Sequence, residues 1–150
     1  MPIENLLKHR LSLKNHIYHL VATTYKRRTM FDNFNSARIV INEMKFAHDL
    51  NKINSIAWVV MPDHIHWLLQ LNDHNQLAEI MRKVKGSSAF KINQQLNNKG
   101  EVWQRGYYEH QIRNDESLIK TARYIVANPL RANLVTNISS YPHWDSVWLK

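Results

Sequence analysis

The chain has 150 residues, 44% of them hydrophobic and 21% charged, which is typical of one globular domain and excludes a disordered chain. It carries 20 lysines and arginines against 12 aspartates and glutamates, so its net charge of +8 favours a polyanionic partner such as nucleic acid. It has no cysteine, which excludes disulfides, thiolate metal sites and cysteine nucleophiles.

We expect the chain to form a single domain, residues 1–150, whose mixed and polar N-terminal segment, residues 1–14, forms an arm. Lys8, His9 and Arg10 interrupt the apolar core that a signal peptide needs. No apolar run approaches the roughly 18 residues of a membrane span. We therefore expect a cytoplasmic protein.

Residues 16–25 are rich in β-branched and aromatic side chains, which predicts a first strand. Three cations, Lys26, Arg27 and Arg28, follow at its end, where loops are usually exposed. They suit contact with DNA phosphates, although a solvated turn is the alternative. Residues 34–50 then place apolar side chains at helical spacing, which predicts a helix that faces the core.

The central stretch predicts two strands, residues 55–60 and 64–71, joined by a turn at Pro62-Asp63. Alternate side chains of a strand share a face, so His64 and His66 point the same way, roughly 6–7 Å apart at their Cα atoms. At that spacing both imidazoles can reach one metal ion. The alternative is a pair of polar residues on a half-solvated face.

Residues 74–96 again show helical spacing and are basic, with Lys83 and Lys85 among their cations. Such charges either form a solvated helix face or a surface that faces DNA. Gly86, near the middle, predicts a weakened or kinked helix.

Residues 107–113 predict a fourth strand. Just before it, Trp103 and Arg105 combine an aromatic ring with a cation, and such pairs can stack on unpaired bases. For Trp103 the alternative is a side chain that packs on the core.

A third helix is predicted to begin after Asn114, a suitable N-cap, and to run to about Asn128, where Pro129 should end it. Tyr124 and Asn128 are four residues apart and so lie on one helix face. Without further information Tyr124 is best explained as a core tyrosine. The final segment, residues 136–150, carries Tyr141, Trp144 and Trp148 and is expected to form an aromatic tail over the core.

Three stretches in this order, residues 61–69, 102–110 and 124–135, resemble the REP-associated tyrosine transposases, members of the single-tyrosine HUH transposase superfamily. The likeness covers most of the chain. Two departures are small: Asp63 stands where asparagine is common in the family, and Asn133 stands where glycine is common. Asparagine also tolerates the left-handed backbone.

The resemblance implies an α+β, ferredoxin-like fold, in which helices pack on an antiparallel sheet. It implies that His64 and His66 bind a divalent metal, Mg²⁺ or Mn²⁺, and that Tyr124 attacks a DNA phosphodiester to form a 5′-phosphotyrosine. Asn128 matches the position of a third metal ligand in related transposases, although a helix C-cap is the alternative.

The resemblance also implies a substrate, single-stranded DNA hairpins of REP-like palindromic repeats, which the enzyme nicks and rejoins. We favour a monomer over a homodimer, in the cytoplasm and on the nucleoid when bound to DNA. The alternatives are a repeat-DNA-binding protein with little catalysis and a metal-dependent nuclease without a covalent intermediate. The candidate DNA contacts are Lys26, Arg27, Arg28, Lys83, Lys85, Trp103 and Arg105.

Overall fold

The computed structural model describes residues 16–72 and 75–147, which contain five strands and four α-helices. The strands are β1 (Ile17–Thr23), β2 (Ile53–Met61), β3 (His64–Leu71), β4 (Tyr108–Ile112) and β5 (Trp144–Ser146). The helices are α1 (Phe34–Asp49), α2 (Leu77–Leu96), α3 (Asp115–Val126) and the short α4 (Asn128–Arg131). None of these helices is both long and apolar enough to cross a membrane. The predicted arm lies outside the described residues, as do His74 and Trp148.

The strands form one sheet in the order β4-β1-β3-β2-β5, and every neighbouring pair is antiparallel. The two-residue turn Pro62-Asp63 joins β2 to β3, so that Met61 pairs with His64. The first four strands, in the order β4-β1-β3-β2 with helices between β1 and β2 and between β3 and β4, form the expected ferredoxin-like α+β fold.

The two sheet faces bury different helices, as the alternation of side chains along β3 requires. On one face Trp67, which is fully buried, packs with the apolar sides of α1 and α2. On the other face Leu68 packs with Leu118 and Ile125 of α3. This second face, which we call the histidine face, also carries His64 and His66.

In the C-terminal tail, Tyr141 and Trp144 pack against the core as expected, but part of the tail is also a fifth strand that the sequence did not predict. Residues of β5 pair with the edge of β2, and Trp144 lies opposite Val59. The Tyr141 hydroxyl donates a hydrogen bond to the Val60 carbonyl oxygen at 2.5 Å. A strand of three residues, two of them polar, is too short to show the two-residue period by which strands are predicted.

Two helix predictions also need correction. The helix α2 runs through Gly86 over 20 residues without interruption, because its buried side packs on the sheet and holds it in place. Pro129 does not end the helical region: α3 ends at Val126, and Pro129 lies in the first turn of α4. Proline is tolerated there, since the first helical N–H groups have no partner within the helix.

Candidate active site

The two predicted metal ligands lie on one face of β3, where the strand alternation should place them. The ring centroids of His64 and His66 are 5.0 Å apart, with the ring planes nearly perpendicular. The His66 residue is only 7% exposed, whereas His64 is half-buried. The pair is therefore open to solvent mainly on the His64 side.

Each ring already uses its Nδ1 atom. His64 Nδ1 lies 2.7 Å from the Asp63 carboxylate, and His66 Nδ1 lies 2.9 Å from His19 Nε2. A carboxylate accepts only from a protonated ring nitrogen, so Asp63 fixes the tautomer of a neutral His64 and leaves a lone pair on Nε2. Imidazole nitrogens held in this way suit a first-row divalent cation.

Asp63 connects this pair to the basic turn that follows β1. Its second carboxylate oxygen accepts a hydrogen bond from Arg27 Nε at 3.2 Å. Burial alone raises the pKa of Asp63, but the hydrogen bond and charge of His64, together with Arg27, outweigh it and leave the pKa below its ordinary value. The carboxylate is thus ionised at neutral pH and can hold both partners.

His19 is a member of the site that the sequence did not single out. Its ring stacks on that of His66, with centroids 5.2 Å apart and planes inclined by 23°. Burial, and secondarily the charge of His110, lowers the pKa of His19 to about 4. Burial is also the main reason that the pKa of His66 falls to about 3. Both rings are therefore neutral at pH 7, the form that can bind a metal.

The predicted nucleophile, Tyr124, lies beside the histidines although it comes from a motif about 60 residues away in the sequence. Its ring centroid is 6.0 Å from that of His66, in an edge-to-face arrangement. The residue is 50% exposed, so it is not the core tyrosine that helical position alone would suggest. The packing of α3 on the histidine face, through Ala122 and Ile125, sets this position.

Asn128 is 9% exposed, and its Nδ2 atom donates to the carbonyl oxygens of Tyr124 at 3.3 Å and Ile125 at 3.4 Å. These bonds cap the last turn of α3, as the alternative explanation of this residue predicts. The side-chain oxygen Oδ1 is the atom left to bind a metal. Within residues 16–72 and 75–147 no three His, Cys, Asp or Glu side chains are grouped as a metal centre.

The basic turn Lys26–Arg28 has an unusual backbone. Lys26 and Arg27 have φ of 54° and 53°, the left-handed region that side chains other than glycine rarely adopt. Such conformations cost on the order of 1–3 kcal/mol each and persist where surrounding contacts enforce them. Here the Thr24 hydroxyl donates to the Arg28 carbonyl oxygen at 2.7 Å, and the Tyr25 amide bonds to Val102. The turn thus holds three exposed cations beside Asp63.

The remaining predicted DNA contacts are scattered. Trp103 is buried, packs on Phe31 and donates to Ser88 Oγ at 3.0 Å, so its ring is not available to stack on bases, and the core-packing alternative describes it. Lys85 Nζ donates to the carbonyl oxygens of Gln104 and Gly106, and burial lowers its pKa.

The other two predicted contacts, Arg105 and Lys83, are exposed like the basic turn. Arg105 lies on the loop before β4. Lys83 is on α2, in the helix layer opposite the histidine face, with its ammonium 6.0 Å from the Phe46 ring. The basic turn, which is joined to the histidine pair through the hydrogen bond between Arg27 and Asp63, is therefore better placed than Lys83 to accompany the site.

Comparisons with known proteins identify the family. The model of the family described as "Transposase IS200 like" matches residues 12–128. A protein of Haemophilus influenzae whose name assigns it to the REP-associated tyrosine transposases is 31% identical over 117 residues, covering 69% of this chain and 66% of that protein. The REP-associated tyrosine transposase of Escherichia coli K12 is 33% identical over 91 residues, covering 57% of this chain and 50% of that protein. This chain thus spans about half to two thirds of the length of these relatives.

Solved structures show the same fold. A REP-associated tyrosine transposase bound to a REP hairpin has a TM-score of 0.73 and 21% identity, over 87% of this chain and 76% of that one. A transposase structure from Deinococcus radiodurans R1 has a TM-score of 0.56 and 20% identity, over 77% of this chain and 92% of that one. With the family model matching most of the sequence, the chain belongs to the IS200-like transposase family, and the resemblance to REP-associated tyrosine transposases is confirmed.

Proposed function

We propose that this chain cleaves and rejoins single-stranded DNA through a covalent bond between Tyr124 and a 5′-phosphate. The observation that carries the proposal is the placement of a half-exposed Tyr124 ring 6.0 Å from His66, on the face that also holds His64. A tyrosine in this position is open to a DNA strand on one side and adjoins the His66 imidazole on the other. Family membership supports a transposase activity of this kind.

The donor set of the histidine pair fits a divalent cation. The Nδ1–H of His64 faces the Asp63 carboxylate, so His64 Nε2 remains as a ligand. His66 Nε2 is a second ligand in the tautomer whose Nδ1–H donates to His19, and the Asn128 oxygen is a candidate third. Mg²⁺ and Mn²⁺ are the proposed ions, and imidazole ligands suit Mn²⁺ better. When bound, such an ion would polarise the scissile phosphate and offset the charge that develops on its oxygens.

The chain's own part in the reaction centres on Tyr124. Its phenolic oxygen attacks phosphorus and loses its proton to solvent, a Tyr–O–P bond forms, and the bond from phosphorus to the 3′-oxygen breaks. The leaving 3′-oxygen takes up a proton and becomes a free hydroxyl. Another 3′-hydroxyl can reverse the step and rejoin a strand, because the phosphotyrosine conserves the bond energy. No energy cofactor is needed.

The proposed substrate is a hairpin of REP-like palindromic DNA. The solved structure of a REP-associated tyrosine transposase with a REP hairpin supports this, as do the net charge of +8 and the exposed turn Lys26–Arg28. Cations of this kind release counterions from phosphates, so hairpin affinity should weaken steeply with salt. The proximity of Tyr124 to His66 within one chain supports action of the tyrosine on its own chain's histidines, and hence a monomer.

A denaturing gel with 5′-labelled and 3′-labelled hairpin oligonucleotides and Mn²⁺ tests the proposal. We expect an adduct that survives denaturation, carries the 3′ label and disappears in Tyr124→Phe. Tyr18→Phe is the matched control, because Tyr18 packs on the opposite sheet face. If cleavage occurs without an adduct and still occurs in Tyr124→Phe, the protein is a metal-dependent nuclease. If it binds the hairpin without cleaving it, the protein is a repeat-binding protein.

A further inference from the structure

Arg131, in the last turn of α4, lies directly over the proposed nucleophile. Its guanidinium carbon is 3.8 Å from the centroid of the Tyr124 ring, well within the distance of a cation–π contact. Its Nη2 atom also donates a hydrogen bond to the Tyr124 backbone carbonyl oxygen. Two independent contacts therefore fix a positive charge beside this one tyrosine.

The break between the two helices brings Arg131 into place. The helix α3 ends at Val126, and the chain turns at Ala127 into the four residues of α4. The amide of Arg131 bonds to the Ala127 carbonyl oxygen, which closes this turn. An uninterrupted helix would set Arg131 almost two turns beyond Tyr124, on the same side but roughly 10 Å along the axis. The turn instead folds the side chain back over the ring.

The guanidinium has capacity for a further ligand. Arg131 is exposed, and no carboxylate in residues 16–72 and 75–147 forms an ion pair with it. A guanidinium carries five N–H donors, and one bond to a carbonyl leaves others for a phosphate, which it can bind with two parallel hydrogen bonds. A phosphate that the Tyr124 hydroxyl attacks would necessarily lie near this group.

We propose that Arg131 is a further catalytic residue, whose guanidinium, stacked on Tyr124, binds the non-bridging oxygens of the phosphate that Tyr124 attacks. The inference rests on the proposed function. The guanidinium would fix the phosphate against the phenolic oxygen and stabilise negative charge on the phosphate oxygens in the transition state. It transfers no proton, so the bonds formed and broken are those already given for Tyr124.

The alternative is that Arg131 only caps α3 through the Tyr124 carbonyl oxygen. Three variants separate the two roles: Arg131→Gln removes the charge, Arg131→Lys keeps it without the fork of donors, and Arg123→Gln is the matched control. Arg123 is an exposed cation of α3 next to Tyr124 in sequence, and its side chain has no part in the site. Circular dichroism and thermal midpoints report whether each variant folds.

The experiment measures the single-turnover rate of adduct formation on hairpin already bound, together with hairpin affinity. We expect Arg131→Gln to slow the adduct on the order of 100-fold, as loss of one transition-state donor does, with affinity changed no more than in Arg123→Gln. Arg131→Lys should recover part of the rate. For one diastereomer of a phosphorothioate at the scissile phosphate, the adduct rate of the wild type should fall by a larger factor than that of Arg131→Gln. A merely structural role of Arg131 would not produce this difference.

Equal adduct rates in Arg131→Gln and Arg123→Gln would overturn the inference. It would also be overturned if the phosphorothioate slowed Arg131→Gln as much as the wild type for both diastereomers. Failure of the proposed function is distinguishable, because the wild-type protein would then form no adduct at all.

Discussion

The Nε2 atom of His19 lies 2.9 Å from the Nδ1 atom of His66, so the neighbouring strand β1 holds one ring of the histidine pair. Mutation of a side chain that orients a metal-binding histidine usually lowers metal affinity about 10- to 100-fold. We therefore predict that His19→Ala weakens Mn²⁺ binding by at least about 10-fold. Electron paramagnetic resonance of free Mn²⁺ measures this directly. His16→Ala, at an exposed position just before β1, is the control, and equal affinities in the two variants would remove His19 from the site.

The Asp63 carboxylate should matter to His64 mainly as a hydrogen-bond acceptor. Its bond to His64 Nδ1 is 2.7 Å long. Asp63→Asn keeps an acceptor oxygen and should retain most of the Mn²⁺ affinity, whereas Asp63→Ala should lose about 10-fold or more. Titration of both variants with Mn²⁺ checks this. If Asp63→Asn lost as much affinity as Asp63→Ala, the negative charge would be the important property instead.

Stability of the metal-free protein should depend on pH in a defined direction. The pKa values of His19 and His66 fall from 6.5 to about 4 and about 3 in the fold, chiefly because both rings are buried. Below about pH 6.5 the unfolded chain gains protons that the folded chain does not, so the free energy of unfolding should decrease as pH falls from about 7 to about 5. Urea denaturation with a chelator present measures it. In His66→Gln this decrease with falling pH should be smaller. If the free energy of unfolding of both proteins decreased equally, His66 would not be a source of the pH dependence.

Two of the candidate DNA contacts, Lys26 and Lys83, can be compared directly because they are exposed lysines on different parts of the molecule. Lys26 belongs to the turn beside Asp63, whereas Lys83 lies on α2 in the opposite helix layer. We expect Lys26→Gln to weaken hairpin binding and reduce the slope of log affinity against log salt by about 1, and Lys83→Gln to leave both nearly unchanged. Fluorescence anisotropy over a salt series measures both the hairpin affinity and its salt dependence. A larger effect from Lys83→Gln would place the DNA on the α1–α2 layer.

The hydrogen bond from Tyr141 to Val60 ties the tail to the sheet. Burial, with the charge of Asp32, raises the pKa of Tyr141 to about 12, so the hydroxyl stays protonated and can donate. Tyr141→Phe should lower the free energy of unfolding by about 1 kcal/mol, the usual value of such a bond. Tyr108→Phe, at an exposed position on β4, should change it much less. Equal losses would show that the bond does not stabilise the tail.

Local patterns in the sequence were enough to predict β3, its histidine face and the helix that carries Tyr124. Periods of two and of 3.6 residues depend only on local geometry, and the ferredoxin-like order followed from the resemblance. The sequence does not predict that His19 belongs to the site, because its position beside His66 depends on the register between β1 and β3, a long-range pairing. Arg131 lies within the third motif, residues 124–135, but no local pattern predicts its role, since only the break at Ala127 places it over Tyr124.

Peptide mapping of the covalent product by mass spectrometry identifies the residue that bonds to the DNA 5′-phosphate. The protein is reacted with a hairpin oligonucleotide and Mn²⁺, digested, and searched for a peptide that carries a nucleotide 5′-phosphate. We expect the modified peptide to contain Tyr124 with the modification on this tyrosine, and the released strand to carry a free 3′-hydroxyl. A modification on another residue, or a product with a free 5′-phosphate and no modified peptide, would contradict this expectation.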